Sequence, residues 1–288
     1  MKIQSVVKEK CITCKQCIPE CSPRLFKIDN DSTINHADPY ESCTKCGHCL
    51  AVCPTGAITF ESSVDLEKMP KMIPDIQSTM DLLLSKRSVR SYSDKAVEKN
   101  KIESIIKAMT YAPSGANAQS CDFIVISNDK VKKVLQDATV KTLNSLKALM
   151  KIHWLLKPFI SEIMYKAISS KHARDGIDEM IKDVKSGDDR IFFNAPVVMV
   201  SHIPASGDIS IVDSTIALTY GMIAGHSMGI GSCWMGFTMM AVKRNKKIHQ
   251  ILNIPKGRII SGVMTLGYPS VKYVNVPIRK DRNVVWMN

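Results

Sequence analysis

The chain has 288 residues, 45% of them hydrophobic and 23% charged, with a formal net charge of +12. That length suits two domains, one of them small, and the larger can bury a core unaided. The basic excess would suit nucleic acid or a membrane surface, but no arginine-rich tract or RNA-binding signature accompanies it, so a nucleic-acid partner is excluded. No apolar segment precedes Cys11, so no signal peptide is expected and the protein is expected to be cytoplasmic.

Eight of the ten cysteines fall in two runs, Cys11-x2-Cys14-x2-Cys17-x3-Cys21 and Cys43-x2-Cys46-x2-Cys49-x3-Cys53-Pro54. Structural disulfides are rare in a reducing compartment, and thiols two or three residues apart are placed to converge on metal. Zinc would take four ligands in two C-x2-C pairs. Triplets with a fourth cysteine, occurring twice, favour two [4Fe–4S] clusters. The runs resemble a two-cluster bacterial ferredoxin, and Thr55–Phe60 looks like its closing strand. The resemblance implies that the fourth cysteine of each run ligates the other run's cluster. Cluster 1 is then held by Cys11, Cys14, Cys17 and Cys53, and cluster 2 by Cys43, Cys46, Cys49 and Cys21. One departure is Cys21-Ser22-Pro23, where the pattern has proline directly after cysteine. This extra residue is expected to shift the second cluster's hydrogen bonding or potential without removing the ligand. The first domain is taken as residues 1–62.

Residues 63–76 mix charges with two prolines and form the expected linker. Ser78 is the expected cap of the next helix. The run Lys86-Arg87-Ser88-Val89-Arg90-Ser91-Tyr92 places three cations and a hydroxyl within five residues. Ile102, Ile105, Ile106 and Met109 recur at helical spacing, and Pro113-Ser114-Gly115-Ala116-Asn117 begins a loop. Cys121–Ser127 reads as a buried strand, as do Ala195–Ser201 and the run from Arg258. Between them, about 142–185, lies a basic helical insertion interrupted by Pro158. Its large apolar residues, among them Trp154 and Phe159, suit a lid over a pocket, a membrane-surface element, or ordinary packing. Ser214–Val242 carries no charge and is long enough for a bilayer. Its five glycines, with Gly229-Ile230-Gly231-Ser232 breaking the helix, point instead to a buried central element.

Four motifs in order carry a second resemblance: Lys86–Tyr92, Ala112–Gln119, Gly229–Gly236, and Leu266–Pro269 followed by Pro277-Ile278-Arg279-Lys280. Together they look like the nitroreductase family of FMN-dependent oxidoreductases, over residues 77–288. The resemblance implies an α+β fold, with an antiparallel-rich central sheet flanked by helices, behind the small ferredoxin-like domain. It implies that Lys86, Arg87, Ser88 and Arg90 hold the flavin phosphate, a dianion that needs charge-assisted donors, with Arg279 and Lys280 added from the C-terminal run. Pro113, Ser114, Gly115 and Asn117 would approach the isoalloxazine ring, typically from a second subunit of a homodimer, and Met235 and Gly236 would present backbone N–H groups to it. No catalytic side chain is expected, because the chemistry occurs at the flavin N5. No paired histidine is evident for Cys233 or Cys121.

The expected function is an iron–sulfur flavoprotein oxidoreductase. A low-potential donor, a ferredoxin or another redox protein, reduces two clusters and through them FMN, and a small electrophile such as a nitroaromatic or quinone takes the electrons. NAD(P)H is the alternative donor, and an anaerobe the expected setting. The competing expectation is an electron-transfer subunit that serves a partner enzyme and has no small substrate of its own.

Overall fold

The computed structural model describes residues 3–30, 32–60, 67–205 and 208–287. The chain forms two compact units, one of residues 1–73 with 114–118 and one of residues 74–113 with 119–288. Of the expected linker, 63–66 lie outside the described residues and 67–75 have no helix or strand.

The first unit is one motif built twice. It runs β1 (Ile3–Val6), α1 (Cys17–Glu20), β2 (Phe26–Ile28), β3 (Ile34–His36), α2 (His48–Val52) and β4 (Ile58–Phe60). β1 pairs antiparallel with β4 and β2 with β3. Corresponding positions lie 32 apart, as from Cys11 to Cys43. Cys17 and Cys49 are buried, Cys14 and Cys46 exposed, and the other four ligands half-buried. Left-handed backbone recurs at Thr13 and Lys45, at Lys15 and Gly47, and at Arg24 and Gly56. Such turns aim successive N–H groups at an anion. Cys17 and Cys49 share a small core with Phe26, Ile34, Ile58 and Phe60.

The second unit begins with α3 (Ile76–Ser85) and α4 (Lys99–Thr110), then β5 (Asp122–Ile126) and α5 (Asp129–Lys151). α6 (His153–Leu156), α7 (Glu162–Ser169), α8 (Lys171–Ser186), β6 (Val197–Pro204), α9 (Asp208–Ser227) and β7 (Gly231–Trp234) follow. α10 (Gly236–Val242), α11 (Lys246–Ile251) and β8 (Arg258–Gly267) complete it. Its sheet has the order β5-β6-β8-β7, and every pair is antiparallel. β6 is buried on both faces, which explains its unbroken apolar run. Val198 and Val200 join the core of α5, α8 and α10. Val197 and Met199 alternate to the core of α4 and α9, the period of two expected of a strand.

Several boundaries differ from the sequence expectations. Asp75 caps α3, accepting from the Ser78 N–H at 2.7 Å. Ser78 is therefore the third helical residue rather than the cap, because the carboxylate outcompetes the hydroxyl for that position. The helical insertion is continuous with a helix that starts at Asp129, where Asn128 accepts from the Lys130 and Val131 N–H groups. It breaks at the 3-10 turn Lys157–Phe159, around Pro158. The uncharged stretch 214–242 is divided among α9, β7 and α10. Gly229 adopts φ +77, ending α9 as Ile230 N–H returns to the Gly225 carbonyl at 2.8 Å. Among the described residues no helix is long and apolar enough to cross a membrane. Residues 271–287 have no helix or strand and are exposed.

Candidate cofactor sites

In the first unit, Cys11, Cys14, Cys17 and Cys53 line one small cavity. Cys21, Cys43, Cys46 and Cys49 line another. The two sets are those of the crossed arrangement. Burial raises the Cys17 thiol, and Cys14, Cys11 and Cys53 add to the rise. Burial pushes Cys49 up to about 11, with contributions from Cys46, Cys21 and Cys43. Thiols held together this way favour a bound cationic core that keeps them deprotonated. Among the described residues no group of three or more His, Cys, Asp or Glu side chains is close enough for a single ion. Four thiols around one cavity are the ligand number of a [4Fe–4S] cluster.

The crossing cysteines have matched surroundings. Leu25 N–H donates to the Cys21 sulfur at 3.3 Å and Ala57 N–H to the Cys53 sulfur at 3.2 Å. Each donor stands four residues after its cysteine. Ser22 is thus a substitution for proline within an unchanged register, not an insertion; the Thr55 hydroxyl also stands 3.8 Å from the Cys53 sulfur, whereas the matching residue after Cys21 is Pro23, which has no donor. Asp38 anchors the start of the second loop, accepting from Ser42 N–H at 2.7 Å and Cys43 N–H at 3.1 Å.

Residues 114–118 belong to this same unit. The Asn117 side-chain amide donates to the carbonyls of Thr44 (3.2 Å) and Lys45 (3.0 Å), inside the second cysteine run. Sequence spacing gave no signal for a contact across 73 positions. Asn117, Gly115 and Ser114 thus belong with the second cysteine run in the first unit.

In the second unit, the basic run is stitched to the end of the sheet. Ser88 bridges Ser232 in parallel, Val89 N–H donates to the Ser232 carbonyl at 3.0 Å and Ser93 N–H to the Tyr268 carbonyl at 2.9 Å. Gly231 permits this approach, since a Cβ there would lie 2.6 Å from Val89 Cγ2. Lys86, Ser88 and Arg90 consequently converge on buried Cys233. Burial raises its thiol, while Arg90, Lys86 and the Ser88 hydroxyl oppose the rise. Burial also lowers Lys86. Arg87 donates from Nη1 to the Lys86 carbonyl at 2.5 Å. Its Nε and the Ser232 hydroxyl are buried without a hydrogen-bond partner among the described residues. Buried donors of this kind call for an acceptor, and a phosphate dianion fits them.

Met235 N–H donates to the Val263 carbonyl at 2.8 Å. Of the two expected ring donors, Met235 is thus committed to the sheet, and Gly236 is left to serve. Both line a cavity of about 480 Å³ together with Arg90. Arg279 and Lys280 lie on the exposed C-terminal arm and are not gathered with Lys86–Arg90 within this chain. Pro113 ends the segment before residues 114–118. Sequence reasoning missed Arg190, which also lines that cavity; it belongs to no recognised motif.

Residues 83–268 match the model of the nitroreductase family. The chain belongs to that family. Residues 10–58 match the 4Fe-4S dicluster domain, so this is a nitroreductase-family chain with a dicluster ferredoxin domain ahead of it. An Archaeoglobus fulgidus protein described as an NADH dehydrogenase/NAD(P)H nitroreductase is 24% identical over 194 residues, covering 67% of this chain and 87% of that protein. An uncharacterized ferredoxin of Methanocaldococcus jannaschii is 42% identical over 48 residues, covering 17% of this chain and 74% of that protein. A Desulfitobacterium hafniense nitroreductase solved with bound FMN superimposes with a TM-score of 0.55 at 19% identity, covering 75% of this chain and all of that one. That likeness establishes the shared α+β fold.

Proposed function

We propose that this nitroreductase-family chain is an FMN-dependent oxidoreductase charged one electron at a time through its own two [4Fe–4S] clusters. A low-potential redox protein such as a ferredoxin supplies the electrons, and a small electrophile of nitroaromatic or quinone type takes them. One observation carries the reading: a single chain holds two complete four-thiol cages and a Lys86–Ser88–Arg90 cluster at the edge of the family sheet. FMN, when bound, supplies the chemistry that joins one-electron input to two-electron output. The chain's own part is binding and orientation. Lys86, Ser88 and Arg90 would hold the phosphate with charge-assisted bonds, Arg87 Nε and Ser232 Oγ would complete its shell, and Gly236 would offer its N–H to the ring. The Archaeoglobus relative's description makes reduced nicotinamide the alternative donor.

The reading includes a second copy of the chain. The C-terminal arm exposes Val274, Val276, Ile278, Val285, Trp286 and Met287, an apolar series that a partner subunit would cover. The same arm carries Arg279 and Lys280, which docking would bring to a phosphate.

Anaerobic titration with a reduced ferredoxin, or with NADPH, tests the proposal. Cluster and flavin absorbance should both bleach, and nitroaromatics or quinones should restore the flavin band without any added protein. Reoxidation that requires a partner enzyme would replace the reading with that of an electron-transfer subunit.

A further inference from the structure

We propose that the large cavity of the second unit selects planar aromatic anions, and that Arg190 binds their carboxylate or phenolate. The inference rests on the oxidoreductase reading and names its acceptor class. At about 480 Å³ the cavity falls within the roughly 300–1,000 Å³ usual for small-molecule sites. Its lining is aromatic and thioether at Met180, Phe193, Trp234, Phe237 and Met240, surfaces that take a flat ring. Two arginines line it and no carboxylate does, so the lining itself favours an anion over a cation.

The two arginines differ in their commitments. Arg90 belongs to the cluster around Cys233. Arg190 has one charged contact, an ion pair to Asp183 at 3.5 Å, with its side chain 49% exposed. A guanidinium carries five N–H donors in a planar fork, and one long contact leaves most of that fork for a ligand. Its position is set by a pinned turn. The Asp189 carboxylate accepts from the N–H groups of Ile191 (3.1 Å), Phe192 (2.9 Å) and Asn194 (3.1 Å), and Gln136 donates to it at 2.8 Å. Phe193 is held at φ +58, the sort of strained backbone that persists where the surroundings fix it and that clusters at ligand sites. The turn therefore presents a cation and an aromatic ring to one cavity. A neutral aromatic would pair only with the ring surfaces, whereas an aromatic anion would pair with both.

Matched probes test this on the full-length, anaerobically purified holoenzyme. 4-Nitrobenzoate and 4-nitrobenzamide share a ring and a nitro group and differ in charge at the far end. With each, the nitro group takes two electrons and two protons from the reduced enzyme and leaves as the nitroso compound and water. Arg190→Gln should raise KM for 4-nitrobenzoate about 10- to 100-fold, the scale of one charged hydrogen bond. kcat, KM for the amide and flavin content should stay unchanged, and Arg190→Lys should restore part of the preference. Independently of turnover, benzoate should perturb the oxidised flavin spectrum of the wild type and fail to do so in Arg190→Gln at the same concentration. Equal shifts for both probes, or none for either, would overturn the proposal. Loss of flavin from Arg190→Gln would also overturn it, by assigning Arg190 to the cofactor. A wild type that binds no flavin at all would defeat the oxidoreductase reading instead, and this inference with it.

Discussion

Gly231→Ala should weaken flavin binding through a contact that touches no cofactor. The added Cβ would sit 2.6 Å from Val89 Cγ2 and 3.0 Å from both Val89 Cβ and Pro269 Cγ. Real atoms do not approach so closely, and Val89 is 3% exposed against Tyr92, Ala195 and Phe193. The strand-like segment must therefore lift. Overpacking of this kind costs about 1–3 kcal/mol, and loss of the Val89–Ser232 backbone bond about 0.5–1.5 kcal/mol more. Val89 stands between Ser88 and Arg90, so lifting it draws both from the site. Loss of one charged bond, about 1.5–3 kcal/mol, corresponds to a roughly 10- to 150-fold weaker Kd for FMN. Quenching of free FMN fluorescence measures it, alongside a thermal melt expected to fall by several degrees. The decisive variant is Gly231→Ala with Val89→Ala. Trimming the valine removes the 2.6 Å contact and leaves those at 3.0 Å, so the double variant should bind flavin better than Gly231→Ala alone, a coupling of opposite sign to independent damage. Unaltered affinity in the single variant, or additive loss in the double, would refute the claim that this close approach sets the phosphate cluster.

Three further outcomes follow from the geometry. Cys21→Ala should remove iron and sulfide from the second cluster and Cys53→Ala from the first, each leaving about four of the eight irons expected of two cubanes; EPR of the reduced protein would show the opposite assignment if the crossing were wrong. Arg87→Met should lower FMN affinity yet leave the flavin-free protein as stable as the wild type or more so, because relief of the unpaired buried Nε, about 1–3 kcal/mol, offsets the lost bond to the Lys86 carbonyl; a large fall in the flavin-free melting temperature would count against it. Stability should fall as pH drops below about 6.5. Burial lowers His202, and Arg258 reinforces this against the opposing Asp122, with Arg258 Nε donating to His202 Nδ1 at 2.7 Å. The unfolded chain then takes up protons first, so the contribution present above the unfolded pKa is lost toward the depressed folded one. Urea midpoints between pH 5 and 8 would show it, and His202→Leu should flatten the slope left after the similarly depressed His36 and His226.

What the sequence made legible was local. Eleven residues contain each cysteine run, and chain sterics alone bring three thiols of a C-x2-C-x2-C loop around one centre. The Lys86–Arg90 run was equally visible, but not which of its side chains converge. That follows from the Ser88–Ser232 bridge, a pairing across 144 positions that no periodicity announces. The Asn117 contact with Thr44 and Lys45 is hidden for the same reason. Ser22 stands where the second run has Pro54, and what the two runs share is the N–H donor four residues after the crossing cysteine. Val274, Val276 and Ile278 alternate like a strand, yet pair with nothing among the described residues. Arg190 had only an indirect signal: Gly187 ends α8 at φ +99, and Asp188-Asp189 then opens a turn before a strand that starts with four apolar residues.

The two units should also respond differently to loss of metal. The core of the first is small, and two of its six fully buried members, Cys17 and Cys49, are cluster ligands. Units of this size seldom hold together without a metal or disulfide staple. The second unit has two large cores of its own, one on each face of a four-stranded sheet. Oxidative removal of iron under a chelator should therefore release backbone protection throughout residues 3–60 and leave β6 and β8 protected in hydrogen exchange. Residues 114–118 belong to the first unit and should lose protection with it, although β5 begins only four residues later. If the segment instead stays protected with β5, its hold on the second cysteine run does not depend on the clusters, and the boundary drawn through Pro113 and Gln119 is wrong. If residues 3–60 remain protected without iron, the small core is sufficient and the thiols serve electron transfer alone.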